Sequence, residues 1–413
     1  MLISVIACAT AAVLNPLDDL RTYIAQDEKS RPPITEQAFA ATPLSQDSAS
    51  QAGELLWADW ASITKSKHEK DWKSGKFTVD GKELKFRRRS FASQKKPRAL
   101  YISLHGGGNT STAVNDQQWR NQVDLYAPPD GLYIAPRAPS DTWNLWHEPH
   151  MDALLDRLIR DAIVFEDVDP NRVYLLGYSA GGDGVYQLAP RMADRFAAAS
   201  MMAGHPNEAD PCSLRNLPFA IHVGENDAAY SRNSLAKEWG GKLEALRKAD
   251  PEGYDHVAKL HEGKGHWMDR DDAEAITWLA ARVRPAVPPK RVVWRQDDVT
   301  HSRAYWLVMP LSEQRAGAFA AARVIDPHTI RIEAETTVQT LTILLRDDLL
   351  DLSAPIEVQW ELIAPDSQQR RVVPAGPAVR VERTIRSLAE SLTERPDRAF
   401  LYPSRITVER PKD

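Results

Sequence analysis

The chain has 413 residues, of which 43% are hydrophobic and 26% are charged, and its formal net charge is −5. This composition is typical of a globular protein, and the length allows a catalytic core with a smaller accessory module. The negative charge argues against nucleic acid as a main partner, because phosphate binding needs a clustered basic surface. The basic run from Lys85 to Arg89 is interpreted as the polar part of a strand at the edge of a sheet.

The first 14 residues form an apolar segment that is too short to span a bilayer. Its length and the Ala9-Thr10-Ala11 triplet fit a signal peptide, but the usual positive charges before the apolar core are absent. Export to the periplasm or the medium is therefore only slightly favoured over a cytoplasmic location, and no stable membrane span is expected. Cys8 and Cys212 are the only cysteines, so at most one disulfide can form.

Residues 1–70 are predicted to form an N-terminal segment that precedes the main fold. Prolines and polar residues mark 15–50 as a connection with one short helix near 17–24. Residues 51–64 place leucine and tryptophan side chains at helical spacing, which predicts an amphipathic helix.

Residues 71–287 are predicted to form the main domain. A hairpin around Asp80-Gly81 opens it, and strands then alternate with helices, which indicates a mostly parallel sheet with helices on both faces. The predicted strands are 99–104, 131–135, 173–178, 218–223 and 257–261, and the predicted helices are 151–165, 185–199, 235–249 and 271–283.

The turn that carries the chemistry follows the strand at 173–178. It reads Gly177-Tyr178-Ser179-Ala180-Gly181, the Gly-x-Ser-x-Gly pattern of a nucleophile elbow between a strand and a helix. Glycines at the two ends allow a turn so sharp that Ser179 is exposed and strained. The backbone N–H of Ala180 would then be free to stabilise negative charge.

A serine needs a base and an acid, and both follow at the ends of later strands. Asp227 ends the loop after the strand at 218–223, and His266 lies beyond the strand at 257–261. Asp183 would lie on the first helical turn, where it complements the helix dipole. Asp255 and Asp269 do not end an apolar strand before the histidine, so Asp227 is the predicted acid.

A glycine-rich stretch after the strand at 99–104 is predicted to complete an oxyanion hole with Ala180. Backbone N–H groups of Gly106, Gly107 and Gly108 are the candidates, while His105 is expected to order this loop rather than act as a base.

These motifs resemble those of α/β-hydrolase esterases of the polyhydroxybutyrate-depolymerase-like or predicted-esterase group, which is related to prolyl-oligopeptidase-type hydrolases. The resemblance covers roughly residues 80 to 285. It implies an α/β-hydrolase fold and a Ser-His-Asp triad. Tyr178 sets the chain apart from hormone-sensitive-lipase-like esterases, which usually have aspartate there. The motifs are His105-Gly-Gly-Gly, Asp167-Val-Asp-Pro-Asn-Arg172, Gly177-Tyr-Ser-Ala-Gly-Gly182, Gly224-Glu-Asn-Asp227 and Gly263-Lys-Gly-His266.

The loop 137–150 is rich in tryptophan and histidine. No metal site is predicted there, because His147 and His150 do not have the His-Glu-x-x-His spacing and Pro149 disfavours the helix that such a site needs. The alternative to a role in substrate binding is a purely structural one, in which the tryptophans of this loop pack on the core.

Four aromatic residues are predicted to contact substrate. Two of them belong to the tryptophan-rich loop and would form a wall of the cleft, and the other two flank the proposed serine and histidine. They are Trp143, Trp146, Tyr178 and Trp267.

Residues 288–413 are predicted to form a β-sandwich-like accessory domain beyond the proline-rich linker at 285–289. It either packs on the main domain or binds polymer. The predicted strands are 291–294, 304–309, 318–325, 329–335, 340–345 and 356–362, followed by one helix at 383–392.

Together these features predict a serine hydrolase that cleaves a small or polymeric carboxylic ester through an acyl-enzyme, with no metal or organic cofactor. A serine peptidase of prolyl-oligopeptidase type and a non-catalytic binding protein on the same fold are the alternatives. The sequence assigns no oligomeric state.

Overall fold

The computed structural model describes residues 15–91, 96–363 and 370–412. The predictions for the first 14 residues, including the signal peptide and Cys8, lie outside this part of the chain. None of the helices within it is long and apolar enough to cross a membrane.

The first two thirds of the chain contain two N-terminal helices followed by alternating strands and helices. In order they are α1 (Pro16–Ile24), α2 (Gln46–Ser74), β1 (Lys76–Val79), β2 (Lys82–Phe91), β3 (Arg98–Leu104), α3 (Thr112–Leu125), β4 (Gly131–Arg137), α4 (Met151–Glu166), β5 (Val168–Tyr178), α5 (Ala180–Arg191), β6 (Ala198–Met202), β7 (Phe219–Gly224), α6 (Arg232–Ala249), β8 (His256–His261) and α7 (Glu274–Ala280).

These strands form one eight-stranded sheet in the order β1-β2-β4-β3-β5-β6-β7-β8. The pairs β1–β2 and β2–β4 are antiparallel, and all the pairs from β4 onward to β8 are parallel. Parallel strands are buried on both faces, which explains their nearly continuous apolar sequences. In β3, Leu100 and Ile102 join the apolar cluster on one face of the sheet, while Tyr101 joins the cluster on the other.

The predicted hairpin is present, and Asp80 and Gly81 both have positive φ angles of 47° and 77° as its turn requires. The basic run at 85–89 lies in β2, the second strand of the sheet. Strand β1 pairs with β2 only over residues 82–85, so residues 86–89 pair with β4 alone and lie at the edge of the sheet, as predicted. There the guanidinium of Arg88 stacks 4.8 Å from the centre of the Trp72 ring.

The helix predicted at 185–199 is wrong in both bounds. Helix α5 starts directly after Ser179 and ends at Arg191, and residues 198–202 form the buried strand β6. Residues 196–202 are all buried, and a run that is buried on every side has no periodicity to separate strand from helix.

Two further helices differ from expectation. Helix α3 was not predicted, because its sequence is largely polar and shows no apolar periodicity. The helix starts after Ser111, whose side chain accepts a hydrogen bond from the N–H of Val114. Helix α2 extends well beyond the predicted 51–64 and crosses the boundary predicted at residue 70.

The last third of the chain is rich in β-strands. They form a four-stranded sheet, β10-β11-β14-β17, and a five-stranded sheet, β16-β15-β13-β12-β9. Strands β16 and β17 were not predicted. The elements are β9 (Arg291–Arg295), β10 (Arg303–Ala304), β11 (Leu307–Val308), β12 (Phe319–Asp326), β13 (Thr329–Ala334), β14 (Thr340–Leu345), β15 (Glu357–Ile363), β16 (Arg370–Pro374), α8 (Ile385–Glu394) and β17 (Ser404–Glu409).

Helix α8 joins this β-rich part to the N-terminal helices. Its Ile385 and Leu388 share an apolar cluster with Leu20 of α1 and Leu56 of α2. Gly53 of α2 faces this cluster, since a Cβ atom at that position would be in ordinary van der Waals contact with Leu388, at 3.8 Å. The two ends of the chain therefore pack together.

Candidate active site

Ser179 lies in the turn between β5 and α5 and has φ 57° and ψ −122°. A non-glycine residue is strained at such angles, and strain of this kind is common where a side chain is held for chemistry. The turn is possible because Gly177 and Gly181 lack side chains. A Cβ atom on Gly181 would lie 2.1 Å from the carbonyl oxygen of Leu104, and one on Gly177 would lie 2.2 Å from the carbonyl oxygen of Gly181.

The structure brings the predicted base and acid to this serine. The Nε2 atom of His266 is 3.0 Å from the Oγ atom of Ser179, and its Nδ1 atom is 2.8 Å from the Oδ2 atom of Asp227. The Asp227 side chain is only 1% exposed, whereas that of His266 is 41% exposed. Because the carboxylate accepts a hydrogen bond from the Nδ1–H group, Nε2 is left without a proton as the acceptor that faces the serine hydroxyl.

Two loops at the ends of β7 and β8 position these groups. The N–H of Asn226 donates to the carbonyl of Lys264 at 2.8 Å, which ties the loop of the acid to the loop of the histidine. Gly224 allows the close approach, since a Cβ atom there would lie 2.0 Å from the carbonyl oxygen of Gly265.

The other carboxylates considered from the sequence are engaged elsewhere. Burial raises the pKa of Asp183 to about 6, and its Oδ1 atom accepts the N–H of His205. Asp255 pairs with two arginines. Asp269 pairs with Lys264.

Two predicted oxyanion donors have no acceptor among the described residues, namely the N–H groups of Gly106 and Gly107. Gly106 is close to the nucleophile, because a Cβ atom on it would lie 3.1 Å from the Cβ atom of Ser179. The N–H of Ala180, in the first turn of α5, is likewise without an acceptor in the described part of the chain.

Gly108 is a correction to the predicted set. Its N–H donates to the Oδ1 atom of Asn115 at 2.8 Å, so it is not available to an oxyanion. The Nδ2 atom of Asn115 donates in turn to Asp141 at 2.9 Å. Asn115 was missed from the sequence because it lies on a helix that the apolar pattern did not reveal.

His105 holds the same loop in place. It is fully buried, accepts the N–H of Ala138 at its Nε2 atom and contacts the carbonyl of Gly106 through Nδ1 at 2.6 Å. Burial lowers the pKa of His105 to about 4, so the imidazole is neutral near pH 7.

A cavity of about 580 Å³ opens over Ser179 and His266. Of the predicted substrate contacts, Tyr178 and Trp267 line it. The Tyr178 hydroxyl, however, is engaged with the backbone, donating to the carbonyl of His266 at 2.6 Å. The remaining lining residues from α3 were missed: Gln118, Asn121, Gln122 and Leu125.

The two tryptophans of the 137–150 loop do not line this cavity. Trp146 is fully buried and its Nε1 atom donates to the carbonyl of His105 at 2.7 Å, so it supports the loop 105–108, which contains the predicted oxyanion donors. Its predicted place in the cleft wall is therefore wrong. Trp143 is 57% exposed and packs edge-on against His147.

One group of side chains has the composition of a metal site. His222 and His261 face each other with 3.1 Å between their nitrogens, and Glu274 lies 3.6 Å from His222. The ammonium of Lys259 already pairs with this carboxylate at 2.5 Å, which places a protein cation where a metal would bind. The carboxylate is thus already paired within the chain, while the buried Nε2 atom of His222 has no hydrogen-bond partner among the described residues.

No family model and no curated protein matches the chain. Several solved structures are similar over about half of it. A thermostable esterase has 21% identity over 51% of this chain and 62% of its own, with a TM-score of 0.39. The carboxylesterase of Bacillus cereus has 15% identity over 48% of this chain and 93% of its own, with a TM-score of 0.35. The carboxylesterase of Mesorhizobium loti has 17% identity over 50% and 99%, with a TM-score of 0.35.

The chain spans less than two thirds of the length of the thermostable esterase. Identities this low do not carry an activity from one protein to another. The order of the parallel strands, the antiparallel hairpin at one edge and the serine turn between β5 and α5 give the chain the α/β-hydrolase fold, with a smaller β-rich part at its C-terminal end.

Proposed function

We propose that the protein is a serine hydrolase that cleaves carboxylic esters through an acyl-enzyme. The observation that carries this proposal is the unbroken line of contacts from Ser179 through His266 to Asp227, with 3.0 and 2.8 Å between the paired atoms. Such a line activates a hydroxyl that is otherwise a weak nucleophile.

In the proposed reaction, the Oγ atom of Ser179 attacks the ester carbonyl while its proton moves to Nε2 of His266. Buried Asp227 stabilises the imidazolium that forms. N–H groups of Ala180 and of Gly106 or Gly107 hold the oxyanion. His266 then protonates the departing alcohol, and a water molecule attacks the acyl-serine by the same route, which restores the serine. These steps require no metal or organic cofactor.

Labelling with a fluorophosphonate probe tests the nucleophile. We expect the wild type and Ser66→Ala, which changes an exposed serine on α2, to label equally, and Ser179→Ala not to label. Labelling of Ser179→Ala at the wild-type level would contradict the proposal. Folding of each variant is checked by circular dichroism.

Substrate panels test the bond that is cleaved. We expect Ser179-dependent turnover of short 4-nitrophenyl esters to exceed turnover of aminoacyl and peptidyl 4-nitroanilides. Preferential cleavage of the amides would instead identify a serine peptidase. Absence of both activities, together with intact binding of an ester, would identify a binding protein on this fold.

For the C-terminal β-rich part, a packing role is proposed. Asp397 lies between Arg284 and Arg195 of the main domain, 2.7 and 3.6 Å away, and all three side chains are nearly inaccessible to solvent. These contacts support a structural role, in which the β-rich part stabilises the main domain, over that of a freely tethered polymer-binding module.

A further inference from the structure

One face of α3 lines the cavity over Ser179. Asn121, Gln122 and Leu125 follow Gln118 at three, four and seven residues, so the four side chains project from one side of the helix and line the cavity with Ser179. Three of these four side chains are neutral amides. The serine therefore faces a surface that can donate and accept hydrogen bonds but carries no charge.

The three amides differ in what they already bind. Gln122 is buried and its Nε2 atom donates to the hydroxyl of Ser103 at 2.6 Å. Asn121 accepts from Gln117 at 2.8 Å and keeps its Nδ2 donors. Gln118 has no hydrogen-bond partner among the described residues, so its amide is the one most available to a ligand.

Gln118 also lies beside the oxyanion loop. A Cβ atom on Gly107 would lie 3.7 Å from the Cγ atom of Gln118, so the glutamine stem packs directly against this glycine. An ester whose carbonyl oxygen points at the loop would have its neighbouring atoms within reach of the amide.

Among the described residues, the cavity lining carries no permanently charged side chain that would neutralise an ionised substrate. Its lining contains no Lys, Arg, Asp or Glu in the part of the chain that the structure describes. The guanidinium of Arg270, beside the C-terminal end of α3, is engaged with the backbone carbonyls of Asp124 and Leu125. An ionised group brought into this cavity would lose hydration without gaining a counter-charge.

We propose that α3 selects the substrate class: Gln118, assisted by Asn121, donates hydrogen bonds to an uncharged oxygen close to the scissile carbonyl. Neutral esters with such an oxygen are then preferred over plain alkyl esters, and anionic esters are poor substrates. This inference rests on the proposed esterase function. The oxygen can belong to the acyl or to the alcohol portion, and the two arms below separate these sources.

The test compares esters that differ by one oxygen in place of a methylene. The acyl arm pairs 4-nitrophenyl methoxyacetate with 4-nitrophenyl butyrate, and the alcohol arm pairs 2-methoxyethyl acetate with butyl acetate in a pH-stat. In each arm the kcat/KM of the ether ester is divided by that of the alkyl ester. This ratio is then divided by the ratio of the hydroxide-catalysed rates of the same two esters, which removes their difference in intrinsic reactivity. We expect an ether preference of about three- to tenfold in at least one arm, the size of one hydrogen bond.

Variants assign the preference to the helix. Gln118→Leu removes the donors and should abolish the preference, whereas Asp124→Asn, whose side chain is 79% exposed on the same helix, should retain it. A ratio near one in both arms of the wild type, or an undiminished ratio in Gln118→Leu, would overturn the inference.

A charged substrate gives a second readout. 4-Nitrophenyl hydrogen adipate, whose carboxylate is too far from the ester to attack it rapidly, should be hydrolysed at least tenfold more slowly than its methyl ester by the wild type, and Gln118→Lys should reduce that gap by supplying a counter-charge. Equal rates for the two esters in the wild type would contradict an uncharged specificity site. If no ester is hydrolysed in a Ser179-dependent way, the proposed function itself fails, which differs from turnover without discrimination.

Discussion

The hydroxyl of Tyr178 donates to the backbone carbonyl of His266 at 2.6 Å and accepts the N–H of Met268 at 3.1 Å. The residue before the proposed nucleophile therefore holds both ends of the short segment that carries the proposed base. Its ring also packs against the side chains of His266 and Trp267, with ring centres 6.0 and 5.6 Å apart. The spacing of serine and histidine depends on a side chain that takes no direct part in the proposed chemistry.

The first prediction concerns Tyr178→Phe. Removing the hydroxyl leaves the buried N–H of Met268 without its acceptor and releases the carbonyl of His266, so the imidazole is held less firmly. We expect kcat for 4-nitrophenyl acetate to fall about tenfold with a smaller change in KM. Tyr174→Phe is the matched control, because its hydroxyl donates to the carbonyl of Arg282 at 2.7 Å, away from the serine. Equal losses of kcat in both variants would contradict the positioning role.

The second prediction concerns Asp227→Asn. The asparagine amide can donate a hydrogen bond to Nδ1, whereas the carboxylate can only accept one from Nδ1–H. The amide therefore favours the tautomer whose proton is on Nε2 and points at the serine. We expect kcat to fall by roughly a thousandfold or more at pH 7, with the fold retained. Asp269→Asn, which changes an exposed carboxylate in the histidine loop, should change kcat less than twofold. Activity near the wild-type level in Asp227→Asn would exclude Asp227 as the acid.

The third prediction compares two glycines that both have positive φ angles, Gly107 at 111° and Gly81 at 77°. Alanine is strained at either position, but only at Gly107 would its Cβ atom collide, 2.2 Å from the Oδ1 atom of Asn115. That collision would displace the loop whose N–H groups are proposed to hold the oxyanion. We expect Gly107→Ala to lower kcat by at least a hundredfold, and Gly81→Ala to lower only thermal stability. Similar activity of the two variants would show that this loop does not hold the oxyanion.

Site residues that directly follow apolar strands could be predicted from the sequence. Roles that depend on a contact with a residue distant in the sequence could not. Ser179 and His266 could be found because parallel strands bring their carboxyl ends to one edge of the sheet. Trp143 and Trp146 lie three residues apart in one loop, yet one is exposed and the other is buried under the oxyanion loop. The engagement of the Gly108 N–H by Asn115 depends on how the polar helix α3 docks, and no local pattern encodes that.

The fourth prediction concerns the pH dependence of stability. Burial, and then the charge of nearby His261, lowers the pKa of His222 to about 4, whereas an unfolded histidine titrates near 6.5. Below about pH 6.5 the unfolded chain binds a proton that the folded chain takes up only near pH 4. The titration of His222 therefore does not change the free energy of unfolding above about pH 6.5 and lowers it progressively as the pH falls from 6.5 to 4.

Urea unfolding at several pH values measures this effect. We expect His222→Gln to reduce the slope of the unfolding free energy between pH 6 and pH 4.5 by about 1.4 kcal/mol per pH unit, the value for one proton. The comparison uses slopes, so a constant loss of stability in the variant does not affect it. Parallel curves for the wild type and His222→Gln would show that His222 titrates alike in the folded and unfolded chains.

The fifth prediction concerns Asp397, where the C-terminal β-rich part meets the main domain. Burial raises its pKa, but the charges of Arg284 and Arg195 outweigh this and hold the pKa below its ordinary value. Asp397→Asn leaves two buried guanidinium groups without this counter-charge, which should cost about 3–5 kcal/mol in the free energy of unfolding. Asp348→Asn, at a partly exposed pair with Arg346, should cost less than about 1 kcal/mol. Chemical unfolding followed by tryptophan fluorescence measures both, and a loss at Asp397 as small as that at Asp348 would show that the buried charges do not join the two parts.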